Sequence, residues 1–230
     1  MPSNKLDSEI VKEYAINAGA NLVGITTSND FGLAPGGFKP TDVMEGCLSI
    51  IVLGATFPQE ALNDVALYTA SRNEMLTKMT DMAKEVAKQI KRAGFKAREI
   101  SGAGGKWVES NGRKEQFGHI SLKHAAELAG LGRIGRNYLL TNSEYGNHLW
   151  LSAVLTNAEL VPDKKAKYKI CEKCNKCVES CPSGALGDLA SFRRKECSKY
   201  FVIENKKFLI KCFLCRKVCP NRFGIKTKGT

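Results

Sequence analysis

Apolar positions along this chain alternate between helical and strand periods. Between residues 7 and 20, Ile10, Val11, Tyr14, Ala15 and Ala18 recur at helical spacing, with Asp7 placed to cap the first turn and Gly19 to stop the helix. Residues 22–25 and 48–53 are short, largely apolar runs, the pattern of strands buried on both faces, and a Gly- and Pro-rich loop (32–40) lies between them. Residues 64–93 predict a long amphipathic helix with Leu67, Leu76, Met79, Met82, Ala83, Val86, Ala87 and Ile90 facing inward and Gly94 at its end. Residues 96–100 predict a strand entering a glycine-rich segment (101–105), a further helix runs from about 121 to 129, and residues 149–155 predict another strand. Strands alternating with helices predict an α/β sandwich. Residues 162–169 are polar and Lys-rich, so the expected domains are 1–162 and 163–230.

Beyond that junction the pattern is set by cysteine. The chain reads Cys171-x2-Cys174-x2-Cys177-x3-Cys181-Pro182, then Cys197, then Cys212-x2-Cys215-x3-Cys219-Pro220, which accounts for eight of the nine cysteines. A three-Cys run followed by a fourth Cys and Pro is the spacing of bacterial two-cluster ferredoxins, in which the fourth Cys ligates the other cluster. One [4Fe–4S] cluster is therefore expected on Cys171, Cys174, Cys177 and Cys219, and a second on Cys181, Cys197, Cys212 and Cys215. Fourteen residues, instead of two, separate Cys197 from Cys212, which moves one ligand without removing it. Zinc also takes four-Cys sets, but it accounts for neither the third Cys at x2 spacing nor the two Cys-Pro endings. Disulfides need an oxidising compartment, and residues 1–29 lack the basic stretch and apolar core of a secretory signal. The ninth cysteine, Cys47, beside an apolar run, is expected to be a buried structural thiol.

Charge sharpens the division. Residues 161–230 hold 18 Lys and Arg against 6 Asp and Glu, so the whole net charge of +12 lies there and residues 1–160 are balanced. Two four-thiolate clusters would cancel about four of those charges. The remainder, including Lys164, Lys165, Lys167, Arg193, Arg194, Lys195, Lys206 and Lys207, suits a solvated surface, an acidic electron donor such as a ferredoxin or flavodoxin, or RNA. The longest apolar stretch, 48–57, is too short to span a bilayer, and a cytoplasmic protein with no membrane partner is expected.

Gly130-Leu131-Gly132-Arg133-Ile134-Gly135 matches G-x-G-x-x-G. A dinucleotide fingerprint follows a strand and opens a helix, whereas these glycines follow the 121–129 helix, as a C-cap would. Two readings stay open: plain capping, or backbone brought close to a planar redox cofactor.

Residues 120–141, from Ile120-Ser121-Leu122-Lys123-His124 through Gly130-Leu131-Gly132-Arg133-Ile134-Gly135-Arg136-Asn137-Tyr138 to Thr141, resemble the central motif of epoxyqueuosine reductases and their relatives, the corrinoid-dependent reductive dehalogenases. The resemblance continues through Glu144-Tyr145-Gly146, Val154-Leu155-Thr156, Leu160-Val161-Pro162-Asp163 and the cysteine arrangement. It implies a nitroreductase-like α/β core holding cobalamin, followed by a ferredoxin-like domain with two [4Fe–4S] clusters. The corrinoid would lie along Gly130, Leu131, Gly132, Arg133, Ile134, Gly135 and Asn137, with Tyr145 nearby. Epoxyqueuosine reductases carry Val-Asp-Ser-Ala-Pro ahead of the glycine motif, with its Asp as the proposed proton donor. Here Glu115-Gln116-Phe117-Gly118-His119 stands in that region, without an Asp.

The expected catalytic groups are consequently His119, Tyr68 and Lys123, with His119 the side chain most easily poised near neutral pH. The expected activity is that of an iron–sulfur oxidoreductase, drawing on a low-potential donor and passing electrons to cobalamin for reduction of a small molecule, a corrinoid protein or RNA. The alternatives are FMN in place of corrinoid, or an electron carrier with a docking domain and no substrate of its own.

Overall fold

The structure, a computed structural model, describes residues 5–102, 105–110, 113–187, 192–204 and 207–225. Its elements in chain order are α1 (Ser8–Asn17), β1 (Leu22–Thr27), α2 (Pro40–Val43), β2 (Ser49–Thr56), α3 (Val65–Arg92), β3 (Ala97–Ile100), β4 (Lys106–Ser110), β5 (Arg113–Phe117), α4 (Leu122–Leu128), β6 (Arg133–Ile134), β7 (Leu140–Thr141), β8 (Leu149–Thr156), α5 (Lys176–Glu179), α6 (Arg194–Ser198), β9 (Phe201–Glu204), β10 (Lys207–Ile210) and α7 (Leu214–Lys217). Contacts divide the chain into two compact units, one of residues 1–55, 76–131 and 150–165, the other of residues 56–75, 132–149 and 166–230. Both the fold and the helix–strand mixture are α/β. Among the described residues no helix is long and apolar enough to cross a membrane.

The first unit is built on a four-stranded sheet in the order β1-β2-β8-β3. β1 pairs antiparallel with β2, Leu22 facing Gly54 and Thr27 facing Ser49, and β3 pairs antiparallel with β8. The apolar run of β2 is continuous because the strand is covered on both faces; Ile50, Ile51, Val52 and Leu53 are completely buried. Met79, Met82, Ala83, Val86, Ala87 and Ile90 of α3 are buried as their helical stripe predicts. Leu67 is a correction: it is 52% exposed, while Tyr68, Ser71 and Met75 are buried. Positions 68, 71 and 75 continue the i, i+3, i+7 stripe of the later turns, and Leu67 stands about 100° away from it. Asp7 caps α1 as expected, its Oδ1 accepting from the Glu9 N–H at 2.7 Å. Asp163 anchors the strap at the end of this unit: it accepts from Ile25 N–H at 2.9 Å and from Lys12 Nζ at 2.8 Å. Cys47 is 2% exposed, and burial pushes its thiol pKa up to about 11, as suits an inert structural thiol.

The second unit contains little regular structure. Its helices α5, α6 and α7 have four or five residues each, far below the length at which a helix holds itself together. Side-chain packing supports α7. Phe57 stacks on His148 with centroids 3.7 Å apart, Tyr68 meets Phe57 edge-on at 6.2 Å and Phe213 at 4.6 Å, and Phe223 closes against His148 at 5.0 Å. The guanidinium of Arg216 lies 5.2 Å from the Phe57 ring centre.

Candidate metal centre and glycine loop

All nine cysteines are free thiols. Cys171, Cys174, Cys177 and Cys219 line one cavity, together with Asn137, Thr141, Pro220 and Asn221. The tight x2 spacings bring the first three sulfurs to it from a single segment, and Cys219 arrives from the end of α7. Electrostatics repeats the grouping. Burial first, and then the neighbouring Cys171, Cys219 and Cys174, push the Cys177 thiol up to about 11. Burial raises Cys219 too, with Cys171 and Cys174 adding to it. Bare thiols packed this way resist ionisation, which a bound cation reverses.

A second group forms around Cys215. Burial, then Cys197, Cys212 and Cys177, drive its thiol up to about 12 against the opposing pull of Arg216. α6 delivers Cys197 and α7 delivers Cys215. Cys181 stands in other company. Burial would raise its pKa, but a hydrogen bond with Ser183 Oγ at 3.5 Å and others with the main chain at Leu186, Ala185 and Ser183 outweigh it and lower the pKa.

The first group suits a polynuclear cluster better than a lone ion. Four thiolates on one zinc at 2.3 Å stand about 3.8 Å apart. Among the described residues no three of His, Cys, Asp and Glu converge closely enough to hold a single metal ion. The first set instead surrounds a cavity, which is what a cubane with one iron per thiolate requires.

The glycine loop is accounted for largely by the chain's own packing. α4 ends in a Schellman motif: Leu131 N–H donates to Ala126 O at 2.9 Å and Gly130 N–H to Glu127 O at 3.2 Å, with Gly130 at φ +77°. A Cβ on Gly130 would come within 2.3 Å of the Lys164 carbonyl, and one on Gly132 within 2.5 Å of the Thr141 carbonyl. The strand–glycine–helix context of a dinucleotide site is absent here, since α4 precedes the glycines and the two-residue β6 follows. Gly135 faces the first thiol set: a Cβ there would stand 3.4 Å from Cys171 Sγ. Arg136 Nε donates to Cys171 O at 3.3 Å, and Asn137 Nδ2 donates to Cys215 O at the same distance. Cys171 itself sits at φ +62°, a left-handed position uncommon for a side-chain-bearing residue.

The other expected residues are scattered. His119 is half-buried in the first unit, its Nδ1 buried without a hydrogen-bond partner among the described residues. Burial, then the cations Arg98 and Lys106, lower its pKa, so at neutral pH it is a neutral imidazole and a proton acceptor. Lys123 lies on α4 in the same unit, and His124 beside it bonds to Ser121 Oγ at 2.6 Å. Tyr68 belongs to the second unit, 7% exposed and held between Phe57 and Phe213. Arg133 is exposed, Ile134 and Tyr145 half-buried, and Asn137 is 5% exposed. Lys206 lies outside the described residues. Thr141 and Asn221, which line the thiol cavity, carried no sequence signal beyond their neighbours: Thr141 ends the stretch 120–141 and Asn221 follows Cys219-Pro220.

With this geometry in place, comparison with known proteins is informative. No family model matches the chain. It is 34% identical to the epoxyqueuosine reductase of Listeria monocytogenes over 119 residues, 46% of this chain and 31% of that protein. The Bacillus subtilis enzyme is 31% identical over 119 residues, and that of Atelocyanobacterium thalassa 32% over 142 residues, 53% of this chain and 46% of the relative. The chain is thus similar in sequence to the epoxyqueuosine reductases over about half of its own length. The matches span roughly a third to a half of those proteins' length. In fold it is similar to an epoxyqueuosine reductase of Streptococcus thermophilus, with a TM-score of 0.64 at 20% identity over 94% of this chain and 66% of that one. It is also similar to a catabolic reductive dehalogenase, with a TM-score of 0.74 at 20% identity over 93% of this chain and 31% of that one. A further fold neighbour is an epoxyqueuosine reductase bound to a modified tRNA stem loop, with a TM-score of 0.61 at 18% identity over 93% of this chain and 64% of that one.

Proposed function

We propose that this chain is an iron–sulfur oxidoreductase that carries low-potential electrons through two [4Fe–4S] clusters to a bound corrinoid for a reductive reaction. One observation carries the reading: Cys171, Cys174, Cys177 and Cys219 line a single cavity although Cys219 comes from the second cysteine run. That crossing supports a two-cluster ferredoxin arrangement. It supports a ferredoxin-like region after about residue 162, with Cys181, Cys197, Cys212 and Cys215 as ligands of the other cluster. The corrinoid is supported by similarity to epoxyqueuosine reductases and by a fold neighbour whose structure bears on B12-dependent dehalogenation. In this reading the corrinoid supplies a strongly reducing metal centre, and the main chain of 129–137 with Tyr145 positions it. His119 is the residue to exchange a proton with the substrate. The tRNA-bound relative makes a modified tRNA nucleoside the first substrate to offer.

Anaerobically reconstituted protein should hold about eight irons and about eight sulfides. Corrinoid added to it should be retained on gel filtration and identified by its visible spectrum after acid release. Stoichiometric zinc without sulfide would overturn the cluster reading. Retention of flavin, or of no organic cofactor, would overturn the corrinoid reading while leaving the clusters in place.

A further inference from the structure

The stretch between Cys197 and Cys212 is a built hairpin. In β9 and β10, Phe201 faces Ile210, Val202 faces Leu209, Ile203 faces Phe208 and Glu204 faces Lys207. Directly opposed residues share one side of a ribbon, so Phe201, Ile203, Phe208 and Ile210 form a single apolar face. One end of that face is anchored. Ile210 is 6% exposed and its N–H donates to Thr69 Oγ1 at 3.0 Å, and the Arg72 guanidinium lies 5.1 Å from the Phe208 ring centre. The rest of the face is open to solvent: Ile203 is 77% exposed, Phe201 47% and Phe208 38%. The two phenyl rings meet edge-on at 6.2 Å. The hairpin is tied directly to the second thiol set, since Tyr200 N–H donates to Cys197 O at 3.2 Å and Lys211 N–H to Tyr200 O at 2.9 Å.

The surroundings are basic. Residues 192–217 contain nine Lys and Arg and two Glu. Both carboxylates are engaged locally, Glu196 with Lys199 at 2.6 Å and Glu204 with Lys211. An apolar face flanked along the chain by charge of one sign suits a small protein–protein interface, with the charge setting encounter rate and partner sign. RNA would also favour the cations, but bases stack on planar groups, and the most exposed member of this face is aliphatic.

We propose that the Phe201–Ile203–Phe208 face is the landing surface for an acidic, low-potential electron-donor protein that feeds the cluster assigned to Cys181, Cys197, Cys212 and Cys215. The inference rests on the cluster reading above. The step is a single electron transfer: the reduced donor loses one electron, the [4Fe–4S]2+ core becomes [4Fe–4S]+, and no bond or proton moves. The small area of the face suits a transient redox encounter rather than a stable complex.

Stopped-flow reduction of the reconstituted protein under anaerobic conditions tests it, with an acidic plant-type ferredoxin and dithionite as alternative reductants. Ile203→Glu should slow reduction by ferredoxin at least tenfold while leaving the dithionite rate and iron content unchanged. Lys195→Glu should slow it at low salt and converge on wild type as salt rises. Phe201→Ser, which adds no charge, should also slow the ferredoxin reaction, so the test does not depend on one variant folding. Equal ferredoxin rates for wild type and the three variants would overturn the proposal. So would a wild type that dithionite reduces and ferredoxin does not, or variants that lose only tRNA binding. A wild type that takes up no iron and sulfide defeats the cluster reading instead, and iron and sulfide analysis tells the two failures apart.

Discussion

Asn137 Nδ2 donates to the main-chain carbonyl of Cys215 across 3.3 Å, while Asn137 itself lines the cavity of Cys171, Cys174, Cys177 and Cys219. One buried side chain thus bonds the main chain of Cys215 and lines the cavity of the first set. Its Oδ1 accepts from Leu139 N–H at 3.1 Å, which fixes the amide orientation. Cluster potentials respond to nearby charge and to hydrogen bonding. Asn137→Asp adds a negative charge and removes a donor, which favours the oxidised cores. The expected result is a fall in both midpoint potentials, with at least a tenfold change in one reduction equilibrium, about 59 mV for one electron. Redox titration followed by electron paramagnetic resonance reads it. Unchanged potentials in fully loaded variant would show that Asn137 only supports the fold.

The crossing of ligands makes its own prediction. Cys219 belongs to the second run in sequence and to the first set in space. Cys219→Ser should therefore disturb the cluster of Cys171, Cys174 and Cys177, with loss of up to about four of eight irons, and leave the signal of the other cluster in place. Damage confined to the cluster of Cys212 and Cys215 would refute this partition. Mössbauer spectra of the iron-57-reconstituted variant distinguish the two.

Gly130 and Gly132 leave no room for a side chain. Lys164 O and Thr141 O stand 2.3 and 2.5 Å from where their Cβ atoms would lie, and both obstacles are backbone. Gly132→Ala should destabilise the apo-protein by about 1–3 kcal/mol through overpacking. Gly130→Ala adds the strain of a left-handed φ. Denaturant unfolding without cofactor measures both. Unaltered apo stability with weaker corrinoid binding would instead mean that the glycines are kept for the cofactor.

Much of this arrangement was legible before any coordinates. The buried strands at β1 and β2, the stripe on α3 and the cap at Asp7 follow from periodicity and short-range chemistry, which depend on a few neighbouring residues. The grouping of Cys219 with Cys171 was legible because ligand spacing constrains geometry across long separations. Two things were not. The sequence between the β9 and β10 runs carries no Asn-Gly or Asp-Gly signal that marks a tight hairpin. Leu67 reads as inward because leucine is usually buried, and only the packing of Tyr68 and Ser71 decides that the stripe runs beside it. The glycines of 130–135 left capping and cofactor approach open, because the carbonyls that crowd Gly130 and Gly132 come from residues 164 and 141, which local pattern does not reveal.

His148 gives the second unit a pH dependence of definite sign. It is 4% exposed, stacked on Phe57, with Nε2 bonded to the Phe57 carbonyl and Nδ1 buried without a partner among the described residues. Burial lowers its pKa from 6.5 to about 4; the Phe57 carbonyl and Glu60 oppose this and Arg216 adds to it. The unfolded chain therefore takes up a proton at His148 below about pH 6.5, while the folded chain does so only near pH 4. The contribution to stability is complete above pH 6.5 and is lost as the pH falls towards 4, by roughly 3 kcal/mol across the window. His148→Gln removes the titrating group, so its unfolding free energy should fall less steeply than that of wild type over this range. Urea unfolding of both proteins at pH 7, 6, 5 and about 4.5 measures the difference. Parallel pH profiles for the two would mean that His148 titrates as it does in the unfolded chain.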